Sequence, residues 1–316
     1  MIITAAILIA VFAGISLLSR TLEHKRRMLV YSLRQQWTAD AIIANADAQL
    51  GWALRPSWQA VLDGIAYHTN EHGFRDYTRE ITRENSELRI LFFGGTAGFG
   101  WGNRLDDITS SVLEAQLNMA TPGYAEVLNA SVPGYDLARN VRSLTERLYI
   151  FAPDIIIIAI SAADLADPPS AGADAQCPPA GAPPVAAALA AQQCKLLAQA
   201  DTAAAMNALA DEANKRGYTV LWAVLPPLDD PWDSRCRDTL AAINEQAKQL
   251  GFYVADLPAA FERANISPRK LHSTLPWELS AQGHRQVADA LWNALVVNKL
   301  LLRPLQVMES RGVEGL

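Results

Sequence analysis

The sequence predicts an α/β fold, a three-layer α/β/α sandwich around a parallel sheet of about five strands, joined to one N-terminal transmembrane helix. Short apolar runs alternate with helical stretches along the chain, and several runs end at Gly, Asn or Pro. Strands that alternate with helices favour a parallel sheet that is covered on both faces. An uncharged stretch from Ile2 to Leu18 predicts the transmembrane helix.

The N-terminal stretch is close to the shortest length that crosses ~30 Å of hydrocarbon. It is apolar on all sides, whereas a core-packing helix is amphipathic. A cleaved signal peptide is the alternative, but no basic residue precedes the stretch and Val-Phe-Ala-Gly is a poor cleavage site. We therefore predict an anchor at residues 1–19 that contacts the lipid bilayer. A continuation helix at residues 20–47 either lies on the membrane surface or forms a stalk.

The side of the membrane is predicted differently by two features. The basic residues near the span all follow it: Arg20, Lys25, Arg26, Arg27 and Arg34. The positive-inside rule then places the globular part in the cytoplasm. A disulfide between Cys177 and Cys194 would favour the periplasm, and three unlinked thiols are the alternative.

The globular part, residues 48–302, contains five predicted strands. Each is short, apolar and rich in β-branched or aromatic residues, as buried parallel strands are. They are 89–94, 125–129, 154–160, 218–225 and 252–255. Helices are predicted at 110–119, 137–150 and 280–300. A Pro- and Ala-rich insertion at about 166–190 precedes an Ala-rich helix, and 303–316 form a C-terminal tail.

Four sequence blocks occur in a fixed order: ILFFGGTAGFGWGN (90–103), NASVPGYD (129–136), PDIIIIAISAADL (153–165) and LPWELSAQGHRQVADAL (275–291). Together they resemble the four blocks of the SGNH (GDSL-type) hydrolases, over about residues 50–300. The resemblance implies that family's sandwich fold. It also implies an esterase site with a serine nucleophile, a histidine base, an aspartate that orients it, and oxyanion donors.

The chain departs from that pattern at the chemical positions. Thr96 stands at the nucleophile, after Gly95 where the family has Asp. Ala163 replaces the oxyanion Asn, and Ser161 replaces the Gly that begins the same block. Gly134, whose amide the family uses in the oxyanion hole, matches.

The last block has lost both acid–base residues. Leu275 stands where the family has the orienting Asp, and Glu278 stands at the histidine position. A threonine hydroxyl is a poor nucleophile without a base beside it. An unperturbed carboxylate is a far weaker base at pH 7 than imidazole. We therefore expect no catalytic residues, and we interpret the chain as a non-catalytic accessory or scaffolding subunit of a membrane protein complex.

Two alternatives remain open at the level of sequence. One is a glycan- or lipid-binding module that uses the remnant pocket, whose candidate residues are Gly95, Thr96, Trp101, Gly134, Ser161, Asp164, Trp277 and Glu278. The other is an esterase with a relocated site. Its candidate groups are the hydroxyls of Thr96, Ser131 or Ser161, the imidazoles of His272 or His284, and Asp164.

Composition excludes several other classes. A net charge of −6 argues against non-specific nucleic-acid binding. No CxxC or Cys/His cluster is present, so we expect no metal site, and no cofactor motif occurs because GGTAGFG lacks the lysine of a phosphate-binding loop. The expected location is a bacterial inner membrane, crossed once. Of the two sides of this membrane, we favour the periplasmic one for the globular part, with the cytoplasmic side as the alternative.

Overall fold

A computed structural model describes residues 2–45, 47–82, 88–119, 123–161, 202–225, 234–275 and 278–301 of the protein. The predicted insertion at 166–190, the Ala-rich stretch as far as residue 201 and the tail at 303–316 lie outside these residues, and so does the Cys177–Cys194 pair.

One continuous helix of 40 residues, α1, extends over Ile2–Ala41. Among the residues that the structure describes, no helix combines the length and the apolar character that a membrane crossing requires. The side chains of residues 2–11, which belong to the predicted anchor, lie outside the described part.

The predicted continuation helix ends earlier than residue 47. Residues Ile42–Ala44 form strand β1, which pairs antiparallel with β2 (Trp52–Leu54). The prediction was wrong here because the backbone of these residues forms hydrogen bonds with β2, about ten residues further along the chain. A second hairpin joins β3 (Gln59–Leu62) to β4 (Ile65–His68). Asp63 and Gly64 turn it, both with positive φ, as a tight two-residue hairpin turn requires.

The central sheet has five parallel strands, as predicted, and each predicted strand lies within two residues of its observed bounds. The strands are β5 (Leu88–Phe93), β6 (Ala125–Asn129), β7 (Ile155–Ser161), β8 (Thr219–Leu225) and β9 (Tyr253–Ala255). Their spatial order is β6-β5-β7-β8-β9. The order reverses between β5 and β7. In sheets of this kind, ligands bind beyond the carboxyl ends of the strands at such a reversal.

Helices cover both faces of this sheet and complete the three layers. One face packs against α3 (Thr109–Asn118), α7 (Leu257–Arg263) and α9 (Ala281–Val297). The other packs against α4 (Leu137–Glu146), α5 (Thr202–Arg216) and α6 (Ser234–Gln249). Two short helices, α2 (Gly95–Phe99) and α8 (Pro268–Leu271), lie in the connecting loops. The predicted helix at 137–150 divides, because a 3-10 turn at Leu148–Phe151 follows α4.

A third apolar cluster joins the N-terminal elements to the sheet. Ala41, Trp52 and Trp58 pack there with Phe99 and Trp101, which follow β5. Tyr135, which follows β6, belongs to the same cluster. The end of α1 and the two hairpins therefore pack on loops at the carboxyl edge of the sheet, where the candidate site is.

Candidate functional site

The loops after β5 and β6 meet at the carboxyl edge of the sheet. Gly94 follows β5, and its amide donates to the buried hydroxyl of Ser131, 2.8 Å away. Ser131 was a candidate nucleophile, but this contact holds it between the two loops. Its side chain is fully buried, which indicates a structural role.

Thr96 and Gly134, two positions of the family pattern, contact each other. The Gly134 amide donates to the Thr96 hydroxyl oxygen at 3.0 Å. In a working esterase this amide would face the oxyanion of the substrate. In this chain the amide donates its hydrogen bond to the hydroxyl oxygen of Thr96 instead. None of the five histidines, all of which lie in the described residues, hydrogen-bonds to Thr96.

Glu278, which the sequence resemblance aligns with the catalytic histidine, forms a buried ion pair. Its side chain is 1% exposed, and one carboxylate oxygen accepts from Arg34 Nε of α1 at 2.9 Å. The other oxygen accepts from the Ser273 hydroxyl at 3.0 Å. Burial raises the pKa of Glu278, and the Arg34 charge and the hydrogen bonds from Ser273 and Arg34 offset part of that rise. Both carboxylate oxygens are thus engaged within the protein.

Arg34 is held between aromatic rings. Its guanidinium lies 4.8 Å from the centre of the Trp37 ring and 5.7 Å from that of Trp101. Gly102 lies so close that a Cβ there would be 3.1 Å from Arg34 Nη2. A charge buried among apolar rings is stable only if it is paired, and Glu278 supplies that pair.

Trp101 was a candidate for stacking on a sugar, and the structure assigns it a different role. It is 1% exposed and packs against Phe99, Tyr67 and Trp37, with ring centroids 4.6, 5.0 and 6.1 Å apart. It therefore belongs to the core under α1 and presents no face to a ligand.

Of five further candidate residues, two lie in the described part of the chain and three do not. Leu275 is buried in a turn in which its carbonyl accepts from the Glu278 amide at 3.0 Å. Ser161 ends β7 and is half-buried. Ala163, Asp164 and Trp277 lie outside the described residues.

A hydroxyl and an imidazole do meet elsewhere, at Thr109 and His284. The Thr109 hydroxyl lies 2.8 Å from His284 Nδ1, and the Thr109 amide also donates to Nδ1 at 3.1 Å. His284 is fully buried, and burial together with the charge of Arg75 lowers its pKa to about 3. Its Nε2 has no hydrogen-bond partner among the described residues and the charge that acts on the ring is a cation, so the carboxylate that a catalytic triad requires is not found beside it there. This pair links α3 to α9, and His284 is a packed, hydrogen-bonded histidine.

Arg75 is a second buried cation at this edge. It donates to the carbonyl oxygens of Phe99, Gly100 and Asn103, the last two at 2.6 Å, and lies 4.4 Å from the Tyr67 ring centre. Burial lowers its pKa to about 10. Its bonds fix the loop after α2, which carries Trp101.

His272, a candidate base for a relocated site, is half-buried. One ring nitrogen, Nδ1, lies 2.7 Å from the Ser273 carbonyl oxygen, and residue 272 pairs with Leu279 in an isolated β-bridge. Nothing among its described contacts is a hydroxyl nucleophile. The described residues also contain no group of three His, Cys, Asp or Glu side chains with the spacing of a metal site.

Sequence reasoning missed Arg34, Ser273 and Arg75. The sequence analysis counted Arg34 only as a basic residue near the membrane. Its partner, Glu278, is 244 residues further along the chain, so no local pattern connects the two. The one available signal was Glu278 itself, because a carboxylate between Trp277 and Leu279 needs a cation if that segment is buried.

Comparisons with known proteins support the fold. No protein-family model matches the sequence, and no curated protein matches it. Among solved structures, a catalytic mutant of an acetylxylan esterase from Geobacillus stearothermophilus is similar, with 16% identity, a TM-score of 0.50, and coverage of 68% of this chain and 96% of that one.

Two further similar structures are a G-D-S-L family protein from Desulfitobacterium hafniense DCB-2 and a lipase/acylhydrolase from Enterococcus faecalis. The first has 13% identity and a TM-score of 0.44, over 66% of this chain and 100% of that one. The second has 15% identity and a TM-score of 0.47, over 66% and 95%. At such identities the likeness concerns the fold alone, which is of the SGNH hydrolase type.

Proposed function

We propose that this SGNH-type chain is a non-catalytic accessory or scaffolding subunit of a membrane protein complex. The observation that carries the proposal is the ion pair between Arg34 and Glu278. The residue that the resemblance aligns with the catalytic base pairs with the N-terminal helix, and both oxygens of its buried carboxylate already accept hydrogen bonds from the protein. The fold would then be retained for its shape.

The state of Thr96 supports the same conclusion. A nucleophilic hydroxyl must give its proton to a base, and the described contact of Thr96 is an amide that donates to it. Removal of single members of a catalytic triad lowers kcat by about 10⁴ or more. Replacement of the base and the orienting acid together leaves no route for proton transfer at this position.

The test of the catalytic part is an esterase assay on the purified full chain. We expect no turnover of p-nitrophenyl acetate above that of buffer. Thr96→Ala should change nothing, and Thr21→Ala, which removes an exposed hydroxyl of α1, is the matched control. Turnover that disappears in Thr96→Ala but persists in Thr21→Ala would overturn the non-catalytic assignment.

The test of the accessory role is the composition of the native complex. Gentle detergent extraction of a tagged full chain should recover fixed partners in stoichiometric amounts. Recovery of the chain as a lone monomer would contradict the proposal. The glycan- or lipid-binding alternative is not favoured by any specific contact, since Trp101 is buried and the Gly134 amide is already accepted by Thr96.

Membrane attachment through the stretch from Ile2 to Leu18 is part of the proposal, and the uncharged sequence of that stretch supports it. We place the protein in a bacterial inner membrane with its globular part on the periplasmic side. Alkaline carbonate washing should leave the full chain in the membrane fraction. External protease should digest the globular part in spheroplasts but not in intact cells. Digestion only after lysis would reverse the orientation.

A further inference from the structure

The part of α1 that precedes its contact with the domain exposes large apolar side chains. Seven of them are more than half exposed, Phe12 most of all at 76%: Phe12, Ile15, Leu17, Leu18, Leu22, Met28 and Leu29. Isolated exposed apolar residues are common, but a continuous set on one element marks a binding surface. We refer to residues 12–29 as the exposed segment of α1.

The same segment is basic. Arg20, Lys25 and Arg26 are exposed and form no ion pair with any described residue, whereas Arg27 pairs with Glu23 at 3.2 Å. With four basic residues and one acid, positions 20–27 carry a net charge of +3, although the whole chain carries −6. The rest of the protein is therefore strongly acidic, and an anionic surface would attract the exposed segment and repel the globular part.

The order of these features along the helix matches the depth profile of a lipid surface. The apolar residues Phe12 to Leu18 precede the basic stretch 20–27, which rises about 12 Å at 1.5 Å per residue. The headgroup layer on one side of a bilayer is about 5–8 Å thick, so the basic stretch is long enough to cross it and extend into the adjoining water. Beyond it, α1 continues without a break to Arg34 and its contact with the domain.

A second copy of the chain is a less suitable occupant of the same surface. In a parallel pair of helices, the basic stretches 20–27 of the two copies would lie at the same height, and like charges brought together at a helix interface destabilise it.

We infer that the exposed segment of α1 binds anionic lipid headgroups, with Arg20, Lys25 and Arg26 on the phosphates and the apolar side chains below them. This inference rests on the membrane attachment proposed above and names the lipid class. Each basic residue near an anionic surface strengthens binding by about fivefold, so three residues together contribute on the order of a hundredfold.

The experiment dilutes the full chain from mild detergent into preformed vesicles and measures flotation. One vesicle population is phosphatidylcholine, and the other is phosphatidylcholine mixed with phosphatidylglycerol. The wild-type protein should require far less anionic than neutral lipid for half-maximal binding. The triple variant Arg20→Gln/Lys25→Gln/Arg26→Gln should lose that preference. A matched control, Arg263→Gln/Arg269→Gln/Arg285→Gln, removes three exposed charges from the globular part and should retain it.

The outcomes separate the two levels of the proposal. Equal binding of the wild-type protein to both vesicle types would overturn the headgroup inference and leave membrane attachment in place. Absence of binding to either type would overturn attachment itself, while the esterase assay would still test the non-catalytic assignment. Lipid-free self-association that Leu22→Glu abolishes, without a lipid preference, would assign the segment to a second copy instead.

Discussion

The buried pair between Arg34 and Glu278 makes a quantitative prediction about stability. Arg34→Met retains an apolar stem against Trp37 and Trp101 but leaves a carboxylate that is 1% exposed without a counter-charge. Removal of one partner of a buried pair costs about 3–5 kcal/mol. For a chain of this size each kcal/mol lowers Tm by about 2–4 °C, so a decrease of roughly 6–20 °C is expected.

The matched control is the exposed pair of the same helix, Arg27 with Glu23, whose side chains are 41% and 47% exposed. Arg27→Met should cost less than about 1 kcal/mol, because water screens the pair. The double variant Arg34→Met/Glu278→Leu should recover most of the lost stability, since an apolar pair leaves no charge buried.

The assay is thermal and denaturant unfolding followed by circular dichroism, analysed as a double-mutant cycle. A cycle coupling near zero, or a loss for Arg34→Met no larger than for Arg27→Met, would refute the reasoning. The pH dependence gives a second measurement. Because the folded pKa of Glu278 is raised above its ordinary 4.5, the folded state favours the protonated acid. The stability due to this group is present below pH 4.5 and is lost as pH rises through the folded pKa; in Arg34→Met the loss extends to higher pH, because the charge that lowers this pKa is gone.

Two further predictions follow from the packing of α9. The pKa of His284 is lowered from 6.5 to about 3, so the stability due to its neutral form is present above pH 6.5 and is lost as pH falls toward 3. NMR of the imidazole should show a neutral ring at pH 5. A titration midpoint near 6.5 would contradict the burial argument. Gly283→Ala would bring a Cβ to 2.0 Å from the Leu271 carbonyl oxygen and should lower the free energy of unfolding by about 1–3 kcal/mol or more. The control Gly14→Ala, where a Cβ would have nothing within 4 Å, should be neutral or stabilising by up to about 1 kcal/mol. Equal effects of the two substitutions would show that the close approach to Leu271 does not determine stability.

Much of the fold followed from local patterns. The short run of isoleucines in β7 favours a buried strand, and the alternation of such runs with helices predicted the parallel sheet. The boundaries that failed depended on distant partners. Residues 42–44 have no local reason to leave the helix and do so because β2 pairs with them.

The sequence by itself predicted, through the resemblance, that Leu275 and Glu278 stand where the family has its acid–base residues. Only the tertiary structure decided what these side chains contact. Arg34 reaches Glu278 across 244 residues, Trp101 turns into the core, and the Thr96 hydroxyl accepts the Gly134 amide. The physical reason is that periodicity and propensity act over a few residues, whereas the desolvation of a charge depends on everything that folds around it.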